Sequence, residues 1–231
     1  MCGRYSLIAK PNELKERFKV KKIEGRLAPR FNAAPSQQLP LITNSAPTKI
    51  TLAEWGIVPV WMRDEKSPKR LINARAETVD EKRTFKTAAE KRRCLVIADG
   101  FYEWSSIPGQ KFKQPFRITL KDEGPFAMAG IFEERKDKKG KKYLEFAVIT
   151  VESNSLMAKI HNRMPALLLP EDEELWLDPE IPIKQAIAIL RPYPARKMKA
   201  YPVSRQVNSP DNDNPDVIKS INDLPTQKPL M

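Results

Sequence analysis

Histidine, cysteine and glycine are scarce in this chain. Of its 231 residues, one is histidine, two are cysteine and eight are glycine. With His161 alone, and Cys2 and Cys94 far apart, a zinc-type ligand cluster is hard to build. Two cysteines do not make a disulfide framework, and that usage fits a reducing cytosol. No glycine-rich phosphate cradle or dinucleotide fingerprint is present, so no cofactor and no metal are expected. No apolar run approaches the ~20 residues of a membrane span, and no apolar h-region of a secretory signal is visible. The expectation is a cytoplasmic protein with no membrane association.

Acidic residues are also in short supply relative to basic ones. Lys+Arg number 41 and Asp+Glu 29, a formal net charge of +12. Such a surplus points to a polyanionic partner, with nucleic acid first. The plainer alternative is that lysines keep the protein soluble, since acids are interspersed at Asp80-Glu81 and Glu171 to Glu174. The length suits one substantial core and one domain.

Hydrophobic alternation outlines the elements. Asn12 to Phe18 reads as a short amphipathic helix, with Leu14 and Phe18 on one face. Gln38–Ile42 and Lys49–Ile57 read as strands around an Asn-Ser-Ala-Pro turn. Thr84 to Lys91 is helix-like with a possible Thr84 cap, followed by an apolar strand over Arg93–Ala98. Asp99-Gly100 has tight-turn composition, and Phe101–Trp104 continues as strand. Strands are expected at Pro115–Leu120, Phe126–Phe132 and Tyr143–Val151, joined by the hairpin-like segments at 121–124 and 136–140. One or two helical turns at 154–160 and helices at 171–177 and 183–190 complete the pattern. Short hairpins outnumber helical crossovers. The fold class is therefore α+β, with a mainly antiparallel, barrel-like sheet core and short peripheral helices. The domain is expected over 1–206, and 207–231 as a loop-rich, loosely held tail.

Cys2 is the most informative residue. Cysteine is small enough that a preceding initiator methionine is normally removed. The product is a 1,2-aminothiol, with an amine of pKa about 7.7–8.0 beside a thiol of about 8.5. That pair captures an aldehyde as a five-membered thiazolidine; a thiol with its own amine as base instead opens an amide. His161 is either a proton-transfer group or a surface or capping histidine. Glu103, among Phe101, Tyr102 and Trp104, is either a desolvated acid–base carboxylate or a water-facing strand residue. Asn73 and Arg75 face one side of an extended segment. They suit a sugar hydroxyl and a phosphate, or else a cap and an ion pair with Glu77. Trp61, near Arg63, Lys66, Lys69 and Arg70, is expected to be exposed and able to stack a base. Trp55 and Trp176 are expected to be buried, and Cys94 to be a buried strand residue.

Ordered segments carry a family resemblance. They are Met-Cys-Gly-Arg at 1–4, Phe-Asn-Ala-Ala-Pro at 31–35, Trp-Gly-Ile-Val-Pro at 55–59 and Asn-Ala-Arg-Ala-Glu-Thr at 73–78. Arg-Cys at 93–94, Asp-Gly-Phe-Tyr-Glu-Trp at 99–104, His-Asn-Arg-Met-Pro at 161–165 and Pro-Val-Ser at 202–204 follow. The set resembles the SOS-response-associated peptidase (SRAP) family, whose members process abasic sites in DNA. The resemblance implies Cys2 as the covalent nucleophile, with Asn73 and His161 positioning the sugar and Glu103 steering protons. It implies Arg4, Arg75 and Arg163 as phosphate holders and Trp61-Met62 as a wedge, where the family often has two aromatic residues. Asn32 and Trp104 are further candidate DNA contacts. The implied partner is single-stranded DNA with abasic sites, or a single-strand/duplex junction, met by a monomer near the nucleoid. The remaining alternatives are an N-terminal-nucleophile amidotransferase and a non-catalytic DNA-binding module.

Overall fold

The computed structural model describes residues 2–222 except 64, 110 and 138. Thirteen strands run in chain order. They are β1 (Tyr5–Leu7), β2 (Lys22–Ile23), β3 (Arg30–Ala33), β4 (Gln38–Thr43), β5 (Lys49–Trp55) and β6 (Asn73–Arg75). Then come β7 (Arg93–Ala98), β8 (Gly100–Ser105), β9 (Gln114–Leu120), β10 (Phe126–Lys136), β11 (Lys142–Glu152), β12 (Arg163–Pro165) and β13 (Met198–Pro202). Four short helices lie outside them: α1 (Pro11–Arg17), α2 (Lys86–Lys91), α3 (Pro170–Leu177) and α4 (Ile183–Ala188).

Two sheets divide the strands. One is ordered β13-β9-β8-β1-β3. The other runs β12-β11-β10-β7-β4-β5-β2, and β11 pairs again with β5. That second pairing is parallel, Glu145 opposite Glu54 and Phe146 opposite Trp55. It closes β5, β4, β7, β10 and β11 into a barrel. The remaining barrel pairs are antiparallel, so the expected α+β, barrel-like architecture is what the chain adopts.

Barrel closure needs small residues inside. A Cβ on Gly130 would lie 2.8 Å from Val96 Cγ2 and 2.9 Å from Cys94 Sγ. Cys94 is thus a fully buried packing residue, as are Trp55 and Trp176. Next to Cys94, the buried Arg93 holds two helix ends together. It donates to Ala89 O (3.2 Å) and Glu90 O (3.1 Å) of α2, and to Trp176 O (2.7 Å) and Asp178 O beyond α3. These are carbonyls that a helix leaves without internal partners.

Several expectations change. Helix α2 starts at Lys86, with Phe85 at its N-cap and no side-chain cap, so Thr84 does not cap it. Asp99-Gly100 is a crossing between sheets: β7 lies in the barrel and β8 in the other sheet. There Asp99 N donates to Ser6 O at 2.9 Å. Lys121 to Gly124 does turn, with Glu123 at φ +58°, yet β9 and β10 lie in different sheets, so it makes no hairpin. The 136–140 segment is a true hairpin, with Lys136 opposite Lys142. Turn chemistry is identical in these cases; the sheet each following strand joins is decided by long-range burial.

Residues 207–222 are docked against the five-stranded sheet. Val207 and Val217 are fully buried with Tyr102 and Val203. Asp213 accepts from Phe31 N (2.6 Å) and Asn32 N (3.0 Å) and pairs with Arg30 at 3.1 Å. Residues 223–231 of the expected tail lie outside the described residues. Hydrogen bonds to a charged group are the stronger kind, so Asp213→Ala is expected to cost about 2 kcal/mol. Urea unfolding reads this directly. An unchanged midpoint, with no faster amide exchange over 205–218, would show that the docking contributes nothing.

Candidate active site and nucleic-acid interface

Cys2 lies at the seam of the two sheets. It precedes β1, which pairs with β8 through Tyr5–Phe101 and Ser6–Gly100. Below it, the Tyr5 ring packs 5.1 Å from the Trp55 ring, and Trp55 stacks on Phe146 at 6.1 Å and 8°. Trp55 Nε1 donates to Ile72 O at 3.0 Å, next to Asn73. One tryptophan therefore sets both the strand after Cys2 and the strand that carries Asn73.

Across the seam, Asn73 Nδ2 donates to Cys2 O at 2.8 Å. Asn73 Oδ1 is buried with no hydrogen-bond partner among the described residues, an acceptor still to be satisfied. The Cys2 thiol is fully buried, with Sγ 3.8 Å from Arg4 O. Burial and then the nearby Glu103 charge push its pKa up to about 12, so it holds its proton at neutral pH. Glu103, on β8, is itself buried. The desolvated alternative for this carboxylate is the one observed.

His161 and the arginines sit around β11. On one edge β6 pairs with it, Val148 opposite Asn73 and Thr150 opposite Arg75. On the other edge β12 pairs, Glu152 opposite Arg163. His161 Nδ1 accepts from Arg163 N at 3.0 Å, so in the neutral ring the proton sits on Nε2. Arg163 forks onto Glu77 at 2.7 and 2.9 Å and donates to Thr150 O at 2.6 Å. The guanidinium draws the Glu77 carboxyl below its usual range. Arg75 is exposed.

Other candidates differ in how far their side chains are committed. Arg4 donates to Asn32 Oδ1 (2.9 Å), Val207 O (2.7 Å) and Asn208 O (3.3 Å). Asn32 is buried and donates to Val207 O, Ser209 O and Asn212 O at 2.9–3.2 Å. Trp104 Nε1 donates to Asn208 Oδ1 at 2.8 Å. These three residues thus bind the C-terminal segment to the start of the chain.

Trp61 is 64% exposed and Val60 67%, on a single 3-10 turn Val60–Met62. Reciprocal bonds between Ile57 and Leu71, 3.1 and 2.9 Å, close the base of this loop. Gly56, at φ +117°, is required there because a Cβ would meet Arg70 Cβ at 2.8 Å. Arg70 turns inward to Glu54 (2.5 Å) and Gly56 O (3.1 Å), while Arg63, Lys66 and Lys69 stay on the loop. A cavity of about 540 Å³ beside Trp61 is lined by Arg83, Arg92, Glu133 and Arg135 among others. Sequence reasoning missed these arginines and Thr150, and offered Glu77 as a partner of Arg75 where the structure pairs it with Arg163; a basic residue every few positions carries no local signal of which ones converge. The more apolar cavity of about 460 Å³ is lined by residues such as Phe18, just after α1, and Leu177 of α3, with none of Cys2, Asn73, Glu103 or His161.

A small barrel joined to a second sheet, with an amino-proximal cysteine gripped at the seam by an asparagine, defines a compact class. A family model described as SOS response associated peptidase (SRAP) matches residues 1–210. The chain belongs to that family. It is 39% identical over 224 residues to the abasic site processing protein YoqW of Bacillus subtilis (strain 168), covering 95% of this chain and all (100%) of the relative. It is 32% identical to the abasic site processing protein HMCES of Gallus gallus, over 86% of this chain and 68% of that one. An X-ray structure of a Bacteroides thetaiotaomicron protein superposes with TM-score 0.84 at 30% identity, covering 95% of this chain and 99% of the other.

The Glu103 charge is one cause of the raised thiol pKa. Glu103→Gln is therefore expected to lower the Cys2 pKa, while burial keeps it above that of a free thiol. Iodoacetamide labelling of Cys2 against pH, read by peptide mass spectrometry, checks this. A profile that stays put or moves to higher pH would contradict the assigned cause.

Proposed function

We propose that the chain processes abasic sites in DNA, capturing the lesion covalently through Cys2. The observation that carries this reading is the grip of Asn73 on the Cys2 carbonyl beside the buried Glu103. It supports a site arranged around the backbone of residue 2, which is what chemistry at an α-amine requires. The names of the relatives support the same substrate.

The opened sugar of an abasic site presents an aldehyde at C1′. After loss of Met1, the Cys2 amine is of a type with a reference pKa of about 7.7–8.0, below the about 8.5 of a thiol. The amine is thus the first nucleophile. Its nitrogen bonds to C1′, and the aldehyde oxygen leaves as water, giving a Schiff base. The Cys2 S–H then adds across the C=N bond: sulfur bonds to C1′ and the proton ends on nitrogen. The product is a thiazolidine, with no outside oxidant or reductant. Glu103 serves as the proton carrier in dehydration, and the His161 Nε2–H as donor to the sugar ring oxygen during opening. Asn73 Oδ1 is the acceptor for a substrate hydroxyl. Ring closure competes with β-elimination from the Schiff base, so strand scission is a side reaction. Attack of Cys2 on the Met1–Cys2 bond, or a separate aminopeptidase, would each expose the amine.

Arg75 and Arg163, flanking β11, suit the phosphates beside the lesion, and Arg4 a third. Asn32 and Trp104 support the surface that Arg4 belongs to, and Trp61-Met62 supplies the wedge. In a duplex the sugar must first be displaced at some cost, which favours single strands or junctions. Acting as a monomer in the cytoplasm, beside the nucleoid, is the matching setting. The +12 charge supports affinity that falls as salt rises.

Mixing the protein with an abasic single-stranded oligonucleotide and running a denaturing gel tests the proposal. A heat-stable shifted band is expected, absent for Cys2→Ala and for a form that retains Met1. Glu103→Gln and His161→Ala are each expected to slow its appearance by about 10²-fold, the lower end of general acid–base contributions. No band from the wild type, or a full band from Cys2→Ala, sinks the covalent reading. Ammonia release from glutamine would point to the amidotransferase alternative instead.

A further inference from the structure

We infer that Phe112 and Arg205 form a second nucleic-acid subsite, which takes an unpaired base and its phosphate from the single strand flanking the lesion. The inference rests on the proposed action on abasic single-stranded DNA. Phe112 is 53% exposed on the segment joining β8 to β9. The Arg205 guanidinium carbon lies 4.0 Å from its ring centroid, and Lys111 Nζ lies 5.8 Å away. An aromatic ring with a cation on it gives a base a stacking surface and offers its phosphate a fork.

The platform is connected to the site by direct contacts. Arg205 opens the 3-10 turn Arg205–Asn208. That turn accepts from Trp104 Nε1 at Asn208 Oδ1 and from Arg4 at Val207 O and Asn208 O. Trp104 follows Glu103, and Arg4 is two residues from Cys2. The next residue of β8, Ser105, has Oγ 3.5 Å from Lys159 O, just before His161. These contacts tie the Arg205 turn to the segments that carry Glu103 and Cys2.

Charge selects the occupant. Lys111, Lys113, Lys159 and Arg205 are all exposed, and none makes an ion pair among the described residues. Two exposed cations on one ring, Arg205 and Lys111, with Lys113 next in sequence, suit a polyanion with a planar group in each repeat. A duplex keeps its base faces stacked, so the occupant is a single strand. Trp61 sits on the separate 57–71 loop, so the two aromatic residues serve different stretches of the nucleic acid.

Fluorescence anisotropy in a Cys2→Ala background, which binds without capture, tests the subsite on an abasic oligonucleotide of about 15 nucleotides, within reach of known single-strand site sizes, and crosslinking by chains that keep Cys2 is read on a trinucleotide with a central lesion. Phe112→Ala is expected to weaken the long substrate about tenfold, the loss of one stacked base. Trinucleotide crosslinking should stay unchanged, and Phe112→Trp should keep the affinity. Arg205→Ala is expected to reduce the slope of log affinity against log salt by about 0.7, one phosphate contact on a single strand. Wild-type capture with unaltered affinity and salt slope in both alanine variants overturns the subsite alone. A wild-type chain that captures neither substrate overturns the parent reading and this one together.

Discussion

Trp55 and Phe146 meet where the barrel closes, and most of the functional geometry hangs on that contact. They are opposite each other in the parallel β5–β11 pairing and stack within 8° of parallel. The same indole leans on Tyr5 and donates to Ile72 O. Barrel closure, the height of β1 and the position of β6 are therefore coupled through one side chain. Removing it would loosen the fold and the distance between Cys2 and Asn73 at once. Aromatic pairs add about 0.5–1.5 kcal/mol beyond burial, but here the larger effect is that one contact sets three coordinates.

Strand β11 then distributes the site. Its first half belongs to the barrel wall, and its second half carries β6 on one edge and β12 on the other. Neighbouring strands lie about 4.8 Å apart and residues along a strand about 3.3 Å; with Arg75 opposite Thr150 and Arg163 opposite Glu152, ladder hydrogen bonds hold the two backbones about 12 Å from each other. Thr150 sits between them, its hydroxyl donating to Ala74 O and its carbonyl accepting from Arg163. Charged side chains thus stand on a ladder-bonded strand set, while Cys2 lies just ahead of β1. On the far side of β1 a second buried network does similar work. Asp99 accepts from Ser6, Ala9 and Arg117, and Arg117 reaches Tyr201, which locks β1 against β8 and β9.

Much of this was legible in the sequence. Short apolar runs bounded by turn residues marked β4, β5, β7, β9 and β11, because each is largely buried. Cys2, Asn73, Glu103 and His161 stood out because their residue types carry chemistry in otherwise apolar or extended surroundings. Sheet membership was not legible: Asp99-Gly100 and Lys121–Gly124 have hairpin composition, yet each passes the chain to the other sheet. Local turn propensity has no knowledge of the strand's eventual neighbour. The 207–222 segment looked like a tail because it is short of apolar residues. Two valines and one aspartate dock it: the valines pack with Tyr102, more than 100 residues earlier, and Asp213 holds Phe31 and Asn32, 182 and 181 residues earlier. Pairings over such distances leave no periodic trace.

That long-range docking has a kinetic side. Arg4 and the carbonyl of Val207 are 203 residues apart, so at ribosomal speeds of 5–20 residues per second Arg4 waits roughly 10–40 s for that acceptor. The anchoring of Arg4 in the finished fold is then a late event in the life of each molecule. Any processing of Met1 by another enzyme has its easiest moment on the nascent chain, before the far end arrives and pins Arg4.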